Sequence, residues 1–188
     1  MTRSFLLMKP VLILLLLSAA LFTASCKKIN YHKLTDEDMS WLVYKNYQID
    51  EFDNGNESVK FLVTLRTKSY YDNDDSANEF TTASFKQLND TTAIHPDDSY
   101  GLLYIYKPSD DGLLVTFSWP HFPLKGVPLT SLPPGIVTIG GVTYTDVFVL
   151  DATGFTDARN KIRKVWYSKS AGVLQFEDTI AGLWVKNL

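Results

Sequence analysis

The feature that most constrains the fold is the alternation of apolar and polar residues at 58–69. In "SVKFLVTLRTKS" every second residue from Val59 to Leu65 is apolar, and the residues between them are mostly polar. Successive side chains of a strand point to opposite faces of a sheet, so the run predicts a strand with one buried face. "EFDNGNE" separates it from "LVYKNYQID" (42–50), and the three stretches together predict a hairpin.

The same pattern recurs along the rest of the chain. "PSDDG" (108–112) lies between two further alternating runs, and "GG" splits 136–152 in the same way. The predicted strands outside the first hairpin are "FTTASFKQL", "SYGLLYIYK", "GLLVTFSW", "IVTI", "VTYTDVFVLDA", "KIRKVWYSK", "VLQFED" and "LWVKN". We therefore predict an all-β protein of about nine or ten strands, forming one antiparallel, curved sheet or a sandwich or partial barrel.

Three stretches interrupt the pattern. Thr35 precedes three acidic residues, which predicts a short helix around 35–41 or a turn. Residues 70–79 and 89–98 are rich in Asp, Asn and Ser and are predicted to be loops. Five prolines fall within 120–135, and proline cannot donate to a sheet ladder, so this part is predicted to be an irregular crossing segment.

The N-terminus has the pattern of a secretion signal. Arg3 and Lys9 are followed by the apolar run 11–22, which is shorter than a comfortable membrane span of about 20 residues. Small residues then lead to Cys26, and the whole resembles a bacterial lipobox. The resemblance implies that residues 1–25 are a cleaved signal peptide and that Cys26 is acylated, with palmitate among the fatty acids. Met8 opens a second, complete signal of the same kind, so translation starts at Met1 or at Met8.

Cys26 is the only cysteine of the chain, so it cannot close a disulfide within it. Acylation accounts for a lone thiol at the junction of an apolar run and a polar chain. More than one acyl chain gives stable membrane anchoring. We expect residues 26–34 to be the lipidated cysteine with a polar leader, and residues 35–188 to be a single β-rich domain.

The C-terminal third carries a resemblance to a known class. "VTYTDVFVLDA" (142–152), "KVWYSKSAGVLQFED" (164–178) and "LWVKNL" are similar to the end of many Bacteroidota envelope lipoproteins of uncharacterised function. The matching residues are Tyr144, Asp146, Val147, Val165, Tyr167, Gly172, Val173 and Leu174. The resemblance implies an extended, curved antiparallel sheet and implies no activity. From the residues alone, the stretch is a hairpin that ends a sheet, with Gly172 in its turn.

Charge limits the classes of partner. Removing residues 1–25 takes away two of the 18 basic residues and none of the 21 acidic ones, so 16 basic residues face 21 acidic ones and the net charge is −5. No basic block of five or more occurs, so we expect no nucleic-acid partner. The expected partners are the membrane, through the lipid anchor, and an envelope protein or glycan.

The three histidines are candidates for functional residues. His32 lies in the leader, and His95 stands beside acidic loop residues where it is expected to be solvated. His121 lies between Trp119 and Phe122 in "SWPHFPLKG", and this group is our candidate for the lining of a ligand cleft. The alternative is that His121 is a packed residue with one satisfied hydrogen bond.

Motifs that would define an enzyme or a cofactor site were not found in the sequence. "DNDDSANE" (72–79) has the acidic spacing of a calcium loop, but Ala77 and Ala83 stand where that loop needs Gly and Glu. We therefore expect no metal, no cofactor and no catalytic residue. The predicted function is a non-enzymatic envelope lipoprotein that binds a ligand or serves as a structural or assembly accessory. The alternative is an envelope hydrolase with a dispersed active site.

The residues after Cys26 predict the location of the domain. Lys27 is not the aspartate that resembles an inner-membrane retention signal, and "KKIN" lacks the acidic cluster that resembles a surface-export tag. Both observations favour an outer-membrane lipoprotein with its domain in the periplasm. The alternative is the cell surface.

Overall fold

The structure is a computed structural model and describes residues 29–73, 76–88, 100–110, 112–155 and 161–187. Residues 1–28 lie outside this part, and so does His95. The described residues form twelve strands, one short α-helix and one 3-10 helix. Their bounds are β1 Asn30–His32, α1 Asp36–Met39, β2 Gln48–Asp53, β3 Ser58–Asn73, β4 Ser76–Gln87, β5 Tyr100–Ser109, β6 Gly112–Ser118, β7 Val127–Pro128, the 3-10 helix Leu129–Ser131, β8 Gly135–Ile139, β9 Val142–Asp151, β10 Ile162–Ser168, β11 Gly172–Asp178 and β12 Gly182–Lys186.

The strands form one curled sheet, a half-barrel, in the order β7-β6-β5-β4-β3-β2-β12-β11-β10-β9-β8. The all-β, antiparallel and curved prediction is therefore confirmed. The curl brings non-neighbouring strands together: the rings of Phe117 on β6 and Tyr167 on β10 lie 5.1 Å apart. One pair departs from the antiparallel rule, since β1 runs parallel to β4.

The strand count is a correction, with twelve strands in place of nine or ten. Two of the additional strands are short: β1 lies in the predicted leader and β7 in the proline segment. The predicted loop at 70–79 is also wrong, because β3 continues to Asn73 and β4 starts at Ser76. Apolar and polar residues do not alternate in β1, in β7 or in residues 70–79. Their pairing is therefore decided by the neighbouring strand and not by their own sequence.

The inner face of the curl holds the main core. Inward residues of β3 to β6 alternate as predicted, and Phe61, Val63, Phe85 and Phe117 are buried. Two irregular segments fill the space between the curled strands. Residues 34–47 bring Trp41 and Tyr44 into the core, and residues 119–132 bring Trp119, Phe122 and Leu129.

Helix α1 begins where the acidic run predicted it. The Thr35 side chain accepts a hydrogen bond from the Asp38 backbone N–H, and the Asp38 carboxylate accepts one from the Thr35 N–H. This capping box satisfies two backbone donors that a helix start leaves unpaired. Lys107 of β5 reaches the same carboxylate with Nζ 2.7 Å from Oδ2, so the segment is tied to the sheet.

The two halves of the sheet meet at a narrow contact that we call the seam, between β2 and β12. Val185 pairs with Asp53 and Lys186 with Phe52, and the Asn187 N–H donates a hydrogen bond to the Glu51 carbonyl at 2.9 Å. Side chains of residues 34–47 bridge it on the inner face. The Tyr44 hydroxyl accepts a hydrogen bond from the Val173 N–H at 2.7 Å, and the Tyr167 hydroxyl donates one to the Trp41 carbonyl.

The C-terminal pattern that carried the family resemblance has a structural explanation. Asp146 accepts hydrogen bonds from the Ser168 hydroxyl and the Ser170 N–H, which holds the turn between β10 and β11. Gly172 has φ +76, as its predicted turn position requires, and the Tyr44 ring lies directly against its Cα. These pattern residues thus form the turn and its contact with the seam.

Candidate functional site

A concavity lies at one end of the half-barrel, and we call it the end cavity. Its volume is about 330 Å³. Its lining comes from the start of β3, the end of β4, the β11–β12 turn and the segment around His121. The main side chains are Glu57, Ser58, Gln87, His121, Lys161, Ile162, Phe176, Asp178 and Trp184. The size falls within the range of about 300–1,000 Å³ of small-molecule sites.

Aromatic side chains line one part of the end cavity. The Phe176 and Trp184 rings are stacked with centroids 5.8 Å apart and planes inclined by 14°. Trp184 is 7% exposed, and its buried Nε1–H has no acceptor within the described part of the chain. A buried indole N–H normally has a partner. This nitrogen has almost no accessible surface, so a ligand in the cavity would contact the ring and not the N–H.

The polar side chains of the lining carry both signs of charge. Lys161 is basic, whereas Glu57 and Asp178 are acidic. The Asp178 carboxylate accepts hydrogen bonds from the N–H groups of Ile180 and Ala181, at 2.6 and 2.9 Å, and so holds the β11–β12 turn. Few polar groups around an apolar part are typical of sites that orient a small amphipathic molecule.

His121 reaches the cavity because of the turn in which it lies. The Phe122 N–H donates to the Trp119 carbonyl at 3.2 Å, Pro120 follows Trp119, and His121 has φ +55. Pro at the second position and a positive φ at the third are the signature of a type II turn, which favours Gly or Asn at the third position. A histidine held in this conformation is a backbone outlier of the kind that clusters at functional sites.

The three residues predicted to line a cleft are separated by this turn. Trp119 and Phe122 are 1% and 0% exposed and lie in the core, where the Trp119 ring is 4.6 Å from Phe61. Neither is among the side chains lining the end cavity, whereas His121 is. His121 is 8% exposed, and its carbonyl accepts the Ile162 N–H at 3.2 Å.

The other predicted sites are placed as follows. Cys26 and His95 lie outside the described residues. His32 sits on β1, with Nδ1 2.8 Å from an Asp110 carboxylate oxygen at the exposed β5–β6 turn. Within the described ranges no group of three His, Cys, Asp or Glu side chains is arranged to hold a metal ion.

Sequence reasoning missed most of the cavity lining. Gln87, Lys161 and Trp184 come from strand ends far apart in the chain, and no local motif connects them. A register shift at Leu174 interrupts the alternation of 173–178, so the pattern alone does not indicate that Phe176 faces the main core or borders an opening.

Comparison with known proteins gave no match to a family model, to a curated protein or to a solved structure. None of the helices among the described residues has the length and hydrophobicity that crossing a membrane requires.

Proposed function

We propose that this chain is a non-enzymatic lipoprotein of the bacterial cell envelope. It is anchored through acylated Cys26 to the outer membrane, its domain lies in the periplasm, and its end cavity binds a small amphipathic envelope component. The lipobox-like signal supports the anchor. The observation that carries the binding role is the end cavity itself, where stacked aromatic rings adjoin polar side chains of both charges.

The position of β1 orients this cavity relative to the anchor. Asn30 pairs with Ser76 at the start of β4, whereas Gln87 at the end of β4 lines the cavity. Four residue steps separate Cys26 from Asn30 and span at most about 14 Å. At about 3.3 Å per residue, the far end of β4 is about 35 Å further away. The cavity is thus at the end of the sheet remote from the lipid.

The anchor is tested with Cys26→Ser. The change should abolish labelling by a palmitate analogue and leave the precursor unprocessed, with Ser25→Ala as a control that keeps the thiol. Proteinase added to intact cells should spare the domain and should digest it once the outer membrane is opened. Unchanged labelling would refute acylation, and digestion in intact cells would place the domain on the surface.

The binding role is tested with soluble disaccharide–peptide fragments of peptidoglycan, which combine sugar rings with charges of both signs. Titration calorimetry of the full-length chain in neutral detergent should show saturable binding. Gln87→Ala and Lys161→Ala should each weaken it, whereas Lys45→Ala, at an exposed position outside the lining, should not. Absence of binding, or equal binding by all variants, would contradict the proposal.

One observation favours the alternative of a hydrolase. Ser58, His121 and Asp178 line the same cavity, and these residue types perform nucleophilic and acid–base catalysis. His121→Asn keeps a residue that tolerates positive φ and removes the imidazole. Hydrolysis of the same peptidoglycan fragments by the wild type, lost in His121→Asn with binding retained, would establish the enzyme in place of the binding protein.

A further inference from the structure

The outer face of the sheet carries a second concavity, which we call the outer groove. It crosses β3, β4 and β5 on the side opposite the core and has a volume of about 650 Å³. Its lining includes Thr64, Thr82 and Ser84, which bring three hydroxyl groups to the middle of the face. None of these residues belongs to the end cavity, so the two concavities are independent.

Aromatic rings flank the hydroxyl groups. Phe80 and Tyr100 both line the groove, and Tyr100 pairs with Lys86 on β4, six residues beyond Phe80. They therefore lie about 20 Å apart along the strand direction. Tyr104 extends the aromatic surface at one end, with its ring 5.5 Å from that of Phe80. Such rings offer flat apolar faces to a ligand.

Charge distinguishes this face from the rest of an acidic protein. The described outward side chains of β3 to β6 include three cations, Lys60, Arg66 and Lys86, and no acid. Glu51 of the neighbouring β2 lies 3.5 Å from Lys60. Arg66 lines the groove, and the Lys86 ammonium lies over the Tyr100 ring at 5.7 Å. An anionic occupant fits this arrangement, because guanidinium groups bind carboxylates in a bidentate manner.

We infer that the outer groove binds an acidic polysaccharide. Sugar rings stack on Phe80 and Tyr100, sugar hydroxyls exchange hydrogen bonds with Thr64, Thr82 and Ser84, and Arg66 binds a carboxylate or sulfate group. Hydroxyl groups set between aromatic rings favour a glycan over a lipid surface, since a membrane-binding face needs protruding apolar side chains.

The test measures binding of the full-length chain, in neutral detergent, to polygalacturonate, heparin and neutral dextran. Binding to an acidic polymer but not to dextran is expected, and it should weaken as salt is raised. Arg66→Gln should reduce affinity by about 10- to 100-fold, the loss typical of a hydrogen bond to a charged group. Tyr100→Ala should also weaken binding, whereas Tyr100→Phe should retain it.

Lys45→Gln is the matched control, because it removes one exposed positive charge from another part of the surface. Its affinity should equal that of the wild type. Failure to bind either acidic polymer, or equal affinity of Arg66→Gln and Lys45→Gln, would overturn the inference. Binding to vesicles of phosphatidylethanolamine and phosphatidylglycerol would also overturn it, if Arg66→Gln weakened that binding and left polysaccharide binding unchanged. The face would then be a membrane contact. None of these results depends on the end cavity.

Discussion

Twelve residue pairs join β3 to β4, whereas two pairs join β12 to β2 at the seam. The long hairpin is held mainly by its own backbone ladder, between residues close in sequence. The seam joins the two halves of the sheet and brings together residues more than 120 positions apart, such as Tyr44 and Val173. Its few backbone pairs are supplemented by buried side-chain contacts.

Those contacts are polar and specific. Lys186 Nζ lies 2.8 Å from Asp50 Oδ2, and both side chains are largely buried. The same ammonium lies 5.7 Å from the centre of the Tyr44 ring. A backbone ladder tolerates many side chains, but a contact of this kind fails when one partner is removed. We therefore expect stability to depend more strongly on single residues at the seam than on single residues along the hairpin.

The largest effect is expected from Lys186→Met. It leaves the Asp50 carboxylate buried without its cation, and breaking such a pair costs about 3–5 kcal/mol. Urea denaturation should show the loss of unfolding free energy. Asp50→Asn together with Lys186→Met should recover part of it, because neither charge then remains buried alone. A loss of unfolding free energy smaller than that of an exposed ion pair would contradict a stabilising role of this pair at the seam.

Gly172→Ala should follow closely. An added Cβ would come within 2.3 Å of the Tyr44 hydroxyl oxygen, and the backbone has φ +76. Left-handed strain and overpacking together cost about 2–5 kcal/mol. Gly182→Ala is the matched control, since φ is +81 there and nothing lies within 4 Å of the added atom. Thermal unfolding should separate the two variants, and equal losses would show that strain alone accounts for the effect.

Tyr44→Phe should have an intermediate effect. It leaves the buried Val173 N–H without its acceptor, which costs about 1–3 kcal/mol. Tyr47→Phe is the control, because Tyr47 is 73% exposed and should lose almost nothing. Hydrogen exchange of the Val173 amide should accelerate in the first variant only. Unchanged protection of the Val173 amide would indicate that another group accepts its hydrogen bond.

A pH-dependent prediction concerns the second ion pair, Asp38–Lys107, away from the seam. Burial raises the pKa of Asp38, but hydrogen bonds from Lys107 and Thr35 outweigh it, so the pKa lies below 3.8. A carboxyl with a depressed folded-state pKa contributes stability that is present above its unfolded pKa and lost as pH falls through the folded one. The difference in stability between wild type and Asp38→Asn should thus be constant at neutral pH and shrink below about pH 4. Denaturation at pH 7 and pH 3 checks this, and a difference independent of pH would contradict it.

The smallest effect is expected from Lys60→Gln. Lys60 and Glu51 are 3.5 Å apart, with 51% and 36% of their side chains exposed. Exposed pairs of this kind contribute about 0–1 kcal/mol. Differential scanning calorimetry should find the melting temperature almost unchanged, and a large drop would mean that the β2–β3 pairing depends on side chains as the seam does.

The difference between the hairpin and the seam also explains which parts of the fold the sequence could predict. Alternation identified β3, β5, β6 and β9, because each strand shows its buried face locally. Thr35 and the acids after it identified α1 for the same reason. The sequence did not indicate which strands meet at the seam, since Lys186 and Asp50 carry no pattern that pairs them. The end cavity was not predicted for the same reason, because no pattern connects its lining residues. Of these residues, only His121 was named from the sequence.

The proline segment has a consequence for contacts between copies of the chain. β7 and β8 are the two edges of the sheet, and the same segment connects them, with Pro128 in β7 and Pro133 and Pro134 just before β8. Exposed edges template edge-to-edge aggregation, and short strands and prolines prevent it. A two-residue strand at one edge, and a five-residue strand preceded by prolines at the other, limit the backbone that a second copy of the chain could pair with.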